Sequence, residues 1–293
     1  MRTPVRPALV VIAHGSRDPR HAATVHALVR RVRSLRPGLR VATGFLDFDV
    51  PSVHGVLESL AAEGVRDVVA LPLLLTRAFH AKADVPAVLR DAPPRLRIRQ
   101  AEVLGPSPLL LAALERRLRA AGVARADRPS TGVVLASAGS TDPEAIAVIA
   151  DIARKWRQTG WLAVRPAFAS AGSPAGFPRT EEAVRELRSL GCDRVAVAPY
   201  VLAPGFLPDR IARGARDADA DVLADVLGAA PEVARVVLER YDGVSDVVSD
   251  EVSDGGTGAG RRSAAGALWL SAQFPAPPRG AAPAQLASQT PLR

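Results

Sequence analysis

Ala8-Leu9-Val10-Val11-Ile12-Ala13-His14-Gly15-Ser16-Arg17-Asp18-Pro19 is a short apolar run that stops on a histidine and turns at once into a helix start. The run is too short for a helix and is bounded by polar residues, so it reads as a buried strand. His14-Gly15-Ser16 is a turn. Asp18 stands where a helix N-cap belongs and Pro19 where the first helical residue belongs, since proline has no N–H to leave unpaired there. The histidine is therefore presented at the carboxyl end of a strand, beside a helix N-terminus. In open α/β sheets ligands bind at that edge, and the helix end favours anions.

Working outward, the alternation continues. Residues 19–35 carry Ala23, Val25, Leu28, Val29, Val32 and Leu35 at helical spacing and stop before Pro37-Gly38. A second strand over 39–46 reaches Asp47, and Pro51 opens a helix through Val53, Val56, Leu57 and Leu60 that stops at Gly64. A third strand, 67–75, is almost wholly apolar, as a central parallel strand should be, and leads to Thr76-Arg77-Ala78-Phe79-His80. A helix or turn about 84–89, a strand over 96–103 and a helix over 108–121 complete the unit. Such alternation predicts a parallel sheet covered by helices on both faces.

The unit then recurs. Gly132-Val133-Val134-Leu135-Ala136-Ser137-Ala138 is followed by Gly139-Ser140-Thr141-Asp142-Pro143, an offset of 124 from the opening stretch (138 − 14 and 142 − 18). Phe168 answers Phe45 at 123; Pro178, Gly191 and Pro199 answer Pro51, Gly64 and Pro72 at 127; Leu227-Gly228 answers Leu104-Gly105 at 123. This many matches in order mark an internal duplication of a whole α/β unit, not a solenoid repeat. The expected organisation is a first lobe over 1–122, a second lobe over 130–243 and a disordered tail over 244–293, where Ser/Asp, Gly and then Ala/Pro dominate.

Composition narrows the function classes. The 293 residues suffice for two domains, and with 48% hydrophobic but only 4% aromatic residues the cores rest on aliphatic side chains. A net charge of +8 suggests an anionic partner. No arginine-rich arm, aromatic-interleaved basic stripe or zinc-finger spacing supports nucleic acid. The single cysteine, Cys192, precludes an internal disulfide or a thiolate cluster. No apolar run spans a membrane, and the N-terminal run has no signal-peptide cleavage pattern. A cytoplasmic protein is expected.

Three strands of the first lobe end in metal-ligand chemistry: His14, Asp47 and His80. Two imidazoles and a carboxylate suit a borderline divalent ion such as Fe²⁺, Co²⁺, Ni²⁺ or Zn²⁺. The second lobe is an internal control, because Ala138, Ser170 and Leu207 stand at the aligned positions. Glycines, prolines and apolar strands persist there while all three ligand types are absent. One lobe is read as functional and the other as kept for shape. His21, His26 and His54 fall on helices and receive no role.

These residues resemble the sirohydrochlorin chelatase family, the small class II chelatases of sirohaem and cobalamin synthesis. The likeness rests on Ala13-His14-Gly15-Ser16-Arg17-Asp18-Pro19, on Gly44-Phe45-Leu46-Asp47 followed by Pro51, and on Leu71-Pro72-Leu73-Leu74-Leu75 leading to Phe79-His80 and Asp84-Val85-Pro86. It covers 8–121, with 132–240 as a degenerate copy. Two departures stand out: Asp47 where many members have glutamate, and Ala78 where glycine is usual. The resemblance implies a two-lobed class II chelatase-like fold with the substrate between the lobes. It implies insertion of Fe²⁺ or Co²⁺ into sirohydrochlorin, a polycarboxylate tetrapyrrole, by a ferrochelatase or cobaltochelatase of the lyase class. His14 and His80 become the catalytic residues and, with Asp47, the metal ligands. Neutral imidazole can hold the metal or accept pyrrole protons, and the sequence does not apportion the two roles. Ser16, Arg17, Arg77 and Lys82 are the candidates for substrate carboxylates, with Arg210 and Arg213 as possible helpers from the second lobe.

No cofactor beyond the substrate metal is expected, and the chain is read as a monomer or homodimer with no nucleic-acid or membrane partner. A non-catalytic metal or tetrapyrrole carrier would use the same ligands. A serine hydrolase at Ser16 lacks the Gly-x-Ser-x-Gly elbow, and neither dinucleotide nor P-loop glycine pattern is present.

Overall fold

Strand β1 (Ala8–Ala13) is buried along its whole length and pairs in parallel on both sides, with β2 (Val41–Phe45) and β3 (Asp67–Pro72). A strand covered on both faces has no polar side to offer, which is why its sequence does not alternate. β4 (Arg97–Gln100) completes a sheet of order β2-β1-β3-β4 in the computed structural model, which describes residues 6–77, 83–170 and 177–253. Parallel neighbours cannot be joined by hairpins, so the connections are helical: α1 (Pro19–Leu35), α2 (Val53–Ala62) and α3 (Val85–Arg90), with α4 (Pro108–Ala120) following β4. Asp18 caps α1 as expected, accepting from the Arg20 N–H at 2.9 Å, and Ser107 caps α4, accepting from the Leu109 N–H at 3.2 Å.

The unit recurs as β5 (Thr131–Ser137), α5 (Pro143–Arg157), β6 (Ala163–Phe168), α6 (Thr180–Ser189), β7 (Arg194–Tyr200), α7 (Phe206–Asp217), β8 (Val222–Leu223) and α8 (Pro231–Ser253). Its sheet order, β6-β5-β7-β8, matches the first, and every pairing is parallel. The duplicated α/β architecture is thus as expected. Strands are shorter than their apolar runs. β3 ends at Pro72, which has no N–H to extend the ladder.

Each lobe lends its last helix to the other. α4 packs against β7, while α8 packs against β3, α1 and α4. One continuous core therefore passes through both lobes, including Leu9, Val11, Leu71, Leu114, Leu135, Ala198 and Val237. Two smaller cores fill the outer faces, around Val10, Leu57 and Leu60 in the first lobe and Val134, Leu187 and Ile211 in the second.

Polar ties line the seam. Arg116 of α4 donates to Glu232 of α8 at 2.6 and 2.9 Å, Arg240 Nε donates to the Val103 carbonyl at 2.8 Å, and Tyr241 Oη donates to the Pro7 carbonyl at 2.8 Å. Burial pushes the Glu232 carboxyl upward, but the Arg116 bonds, its own backbone N–H and the charges of Arg116 and Arg235 together make the net shift downward. Glu115 accepts from the indole N–H groups of Trp156 at 2.7 Å and Trp161 at 3.1 Å, and from Arg128.

The segment joining the lobes is a short 3-10 helix, Arg125–Ser130. The far boundary needs correction: residues 244–253, expected in a disordered tail, continue helix α8 to Ser253. Gly243 does not stop the helix because Tyr241 is buried before it and Val244 packs on the same core after it. The rest of the expected tail, 254–293, lies outside the described residues. No helix among the described residues is long and apolar enough to cross a membrane.

Candidate metal and substrate site

The carboxyl ends of β1, β2 and β3 stand side by side because β1 lies between the other two. The register sets Ala13 beside Phe45 and Ile12 beside Pro72. His14 is the first residue beyond β1 and is half-buried. The ladder runs one step past the strands: the Asp47 N–H donates to the His14 carbonyl at 2.9 Å. That approach requires Gly15, whose φ is +95° and at which a Cβ would stand 1.8 Å from the Asp47 carbonyl oxygen.

Asp47 is exposed, and its Oδ1 accepts the Phe48 N–H at 2.8 Å. Asp49 is the acid that closes on the histidine turn, accepting the Ser16 N–H at 3.0 Å. The Ser16 hydroxyl accepts the Asp18 N–H at 3.1 Å, so it helps to secure the entry into α1. The Arg17 guanidinium lies 5.2 Å from the Phe48 ring centroid, and the same ring meets His14 edge-on, with centroids 6.3 Å apart at 76°. Arg77 sits beyond β3 and pairs with Glu102 at 3.6 Å, both exposed. His80 and Lys82 lie outside the described residues. Among the described residues no three His, Cys, Asp or Glu side chains form a metal-binding group. Of the expected site residues that are described, His14, Ser16, Arg17 and Asp47 thus stand on two adjoining segments, and Arg77 stands beyond β3.

Sequence reasoning passed over three neighbours of this centre. His21, one turn into α1, is near enough to His14 and Asp49 to feel both charges. Burial pushes its imidazole below the ordinary histidine value; Asp49 pulls it up and His14 pushes it down, and the net shift is downward. The shift favours the neutral form of His21. Asp49 and Phe48 are the others. Their one sequence signal is the triplet Asp47-Phe48-Asp49, an aromatic residue between two acids with no apolar neighbour to bury it.

The second lobe faces this turn through the start of α7. A Cβ on Gly205 would come within 4.0 Å of Ser16 Oγ, and Arg20 bridges to Asp209 at 2.6 Å. Arg210 and Arg213 lie on the same helix and line a depression with Arg179 and Phe206. A separate depression along β2, among Arg33, Arg40 and Glu63, includes none of the strand-end residues. Two of its cations are engaged, Arg33 with the Val41 carbonyl and Arg40 with Glu63.

The family model described as CbiX matches residues 8–121 and again residues 132–244. The matched segments coincide with the two sheets and their helices. A sirohydrochlorin cobaltochelatase of Priestia megaterium is 28% identical over 210 residues, 70% of this chain and 67% of that one. A sirohydrochlorin ferrochelatase of the same organism is 24% identical over 253 residues, 84% of this chain and 89% of that one. The solved structure of SirB from Bacillus subtilis with Fe³⁺ superposes with a TM-score of 0.72 at 24% identity, covering 84% of this chain and 98% of that one.

Proposed function

The chain belongs to the CbiX family, and from that membership we propose that it is a sirohydrochlorin chelatase, a lyase that inserts Fe²⁺ or Co²⁺ into the metal-free tetrapyrrole. The reaction exchanges two pyrrole N–H protons for one divalent ion. The chain must therefore present a metal to the macrocycle and take protons away from it. Neutral imidazole serves either task near neutral pH. His14 is assigned to this work, with His80 as its partner by the sequence pattern and Asp47 in support. Arg17, Arg77 and Lys82 are the proposed partners of the substrate carboxylates, with Ser16 holding the turn that carries Arg17.

One observation carries the assignment to the first lobe: the same backbone turn occurs twice, with an imidazole in only one copy, His14 against Ala138. Both lobes come from one chain, so one chain is taken as the working unit. The single cysteine fits a reducing cytoplasm. Relatives named for cobalt and for iron are similarly distant, at 28% and 24% identity, so the function is stated as insertion of either ion.

The test is an anaerobic absorbance assay with sirohydrochlorin and Fe²⁺ or Co²⁺. Catalysed spectral change that is lost in His14→Ala and His80→Ala is expected, and the faster metal assigns the pathway. Tight substrate binding with no rate above the uncatalysed control would make the protein a carrier. Full activity in both variants would overturn the site.

A further inference from the structure

Phe48 is a bulky residue with φ of +61°, in the left-handed region that side chains other than Gly, Asn and Asp rarely adopt. It is also 52% exposed, so burial of the ring does not explain the conformation. The segment is tied to the His14 turn at both of its acids and is bonded within itself at Phe48. The Asp47 N–H reaches the His14 carbonyl at 2.9 Å, the Phe48 N–H reaches Asp47 Oδ1 at 2.8 Å, and Asp49 Oδ2 takes the Ser16 N–H at 3.0 Å. Strained conformations that the surroundings impose in this way concentrate at ligand sites. What this one achieves is the position of the ring: edge-on to His14 at 6.3 Å and beneath the Arg17 guanidinium at 5.2 Å.

Resting on the chelatase reading above, we propose that Phe48 is a substrate-positioning residue whose exposed ring packs against the conjugated face of the tetrapyrrole beside His14. A flat, conjugated macrocycle gains from aromatic contact. Its carboxylates need a cation nearby, and Arg17 is kept at the ring's edge by the same phenyl group. Phe48 thus sets the height and tilt of the ring over His14 without touching the metal, and it parks the arginine that meets the substrate's periphery.

The test uses the full chain and metal-free sirohydrochlorin, titrated by absorbance and fluorescence with no metal present. Phe48→Asn removes the ring and retains a residue that tolerates the left-handed backbone. It is expected to weaken Kd about tenfold, a typical loss for one aromatic stacking contact. Phe48→Tyr is expected to bind within about twofold of wild type on the same basis. In turnover, Phe48→Asn should raise KM for the tetrapyrrole and leave KM for the metal unchanged. Its melting temperature should not fall, which separates positioning from a structural role.

An unchanged Kd and KM in Phe48→Asn would overturn the proposal while leaving chelatase activity intact. Equal loss in Phe48→Asn and Phe48→Tyr would overturn aromatic contact as the cause. A wild-type protein that binds tetrapyrrole in a Phe48-dependent way but does not metallate it would uphold Phe48 and overturn the chelatase reading. A wild-type protein that does not bind sirohydrochlorin would overturn both.

Discussion

At the end of β1 the chain reads His14-Gly15-Ser16-Arg17-Asp18-Pro19, and at the end of β5 it reads Ala138-Gly139-Ser140-Thr141-Asp142-Pro143. The backbones of the two turns are nearly the same. Gly15 and Gly139 have φ of +95° and +101°. Ser16 Oγ takes the Asp18 N–H at 3.1 Å, and Ser140 Oγ takes the Asp142 N–H at 3.0 Å. The Asp47 N–H reaches the His14 carbonyl at 2.9 Å, and the Ser170 N–H reaches the Ala138 carbonyl at 2.9 Å. These bonds set His14 against Ala138 and Asp47 against Ser170, the alignment read from the duplication. The turn therefore forms without the His14 imidazole, the Asp47 carboxylate or the Arg17 guanidinium of the first copy. What the first lobe adds is chemistry on a scaffold that does not need it, and this is the physical ground for assigning the site there.

The largest effect expected from that difference is on turnover. His14→Ala should slow metal insertion about a thousandfold, the scale of a lost proton acceptor. The reciprocal Ala138→His should leave the wild-type rate unchanged and fail to rescue His14→Ala, because Ser170 and Thr141 stand where Asp47 and Arg17 would be needed. Rescue in the double variant would break the comparison.

Next comes the turn itself. Gly15→Ala puts a methyl group 1.8 Å from the Asp47 carbonyl at a positive φ and should cost about 3 kcal/mol or more. Gly139→Ala also destabilises through its φ. Assayed well below either melting temperature, only Gly15→Ala should lose activity, since only it displaces His14 and Asp47. Equal activity loss would mean that the second turn shapes the site too.

A smaller effect tests what the second lobe contributes to folding. Glu115→Ala leaves the Trp156 and Trp161 indole N–H groups and Arg128 without their shared acceptor and should cost about 2 kcal/mol in denaturant unfolding. The rate under native conditions should hold, because the seam is far along the chain from the strand ends.

The smallest effect is in pH. His21 occupies the position that buried Ala145 takes in the second lobe. Its folded pKa lies below the unfolded value of about 6.5. The unfolded chain therefore binds the proton more readily, and stability is full above pH 6.5 and falls as the pH drops below it. Thermal melts at pH 7.5 and 5.5 should show a steeper acid loss in wild type than in His21→Ala, by about 2 °C.

Much of this was legible beforehand for reasons that can be named. Asp18-Pro19 and its repeat Asp142-Pro143 are local capping signals and mark helix starts in both places. The candidate site was legible in part, as histidine and aspartate at successive strand ends. It was less legible where direction mattered. Asp47 and Asp49 are two residues apart, and only the folded loop shows that Asp49 closes on the His14 turn while Asp47 faces solvent. Ser16, a candidate for a substrate carboxylate or for support of the turn, is bonded into the turn, and Arg17 is laid over Phe48.

The sequence by itself determined the elements, their parallel order and the duplication, because strand periodicity, caps and turn glycines act over a few residues and leave a local trace. Tertiary structure alone decided three things. It decided that α4 and α8 are exchanged between the lobes, since an apolar helix face fits either sheet and only chain reach and the shared core select one. It decided that α8 continues past 243, because packing of Tyr241 and Val244 offsets a poor helix composition. And it decided that Phe48 stands exposed in a left-handed backbone beside His14, a conformation that local preference opposes and that two long-range hydrogen bonds to the His14 turn, with one local bond from the Phe48 N–H to Asp47, impose.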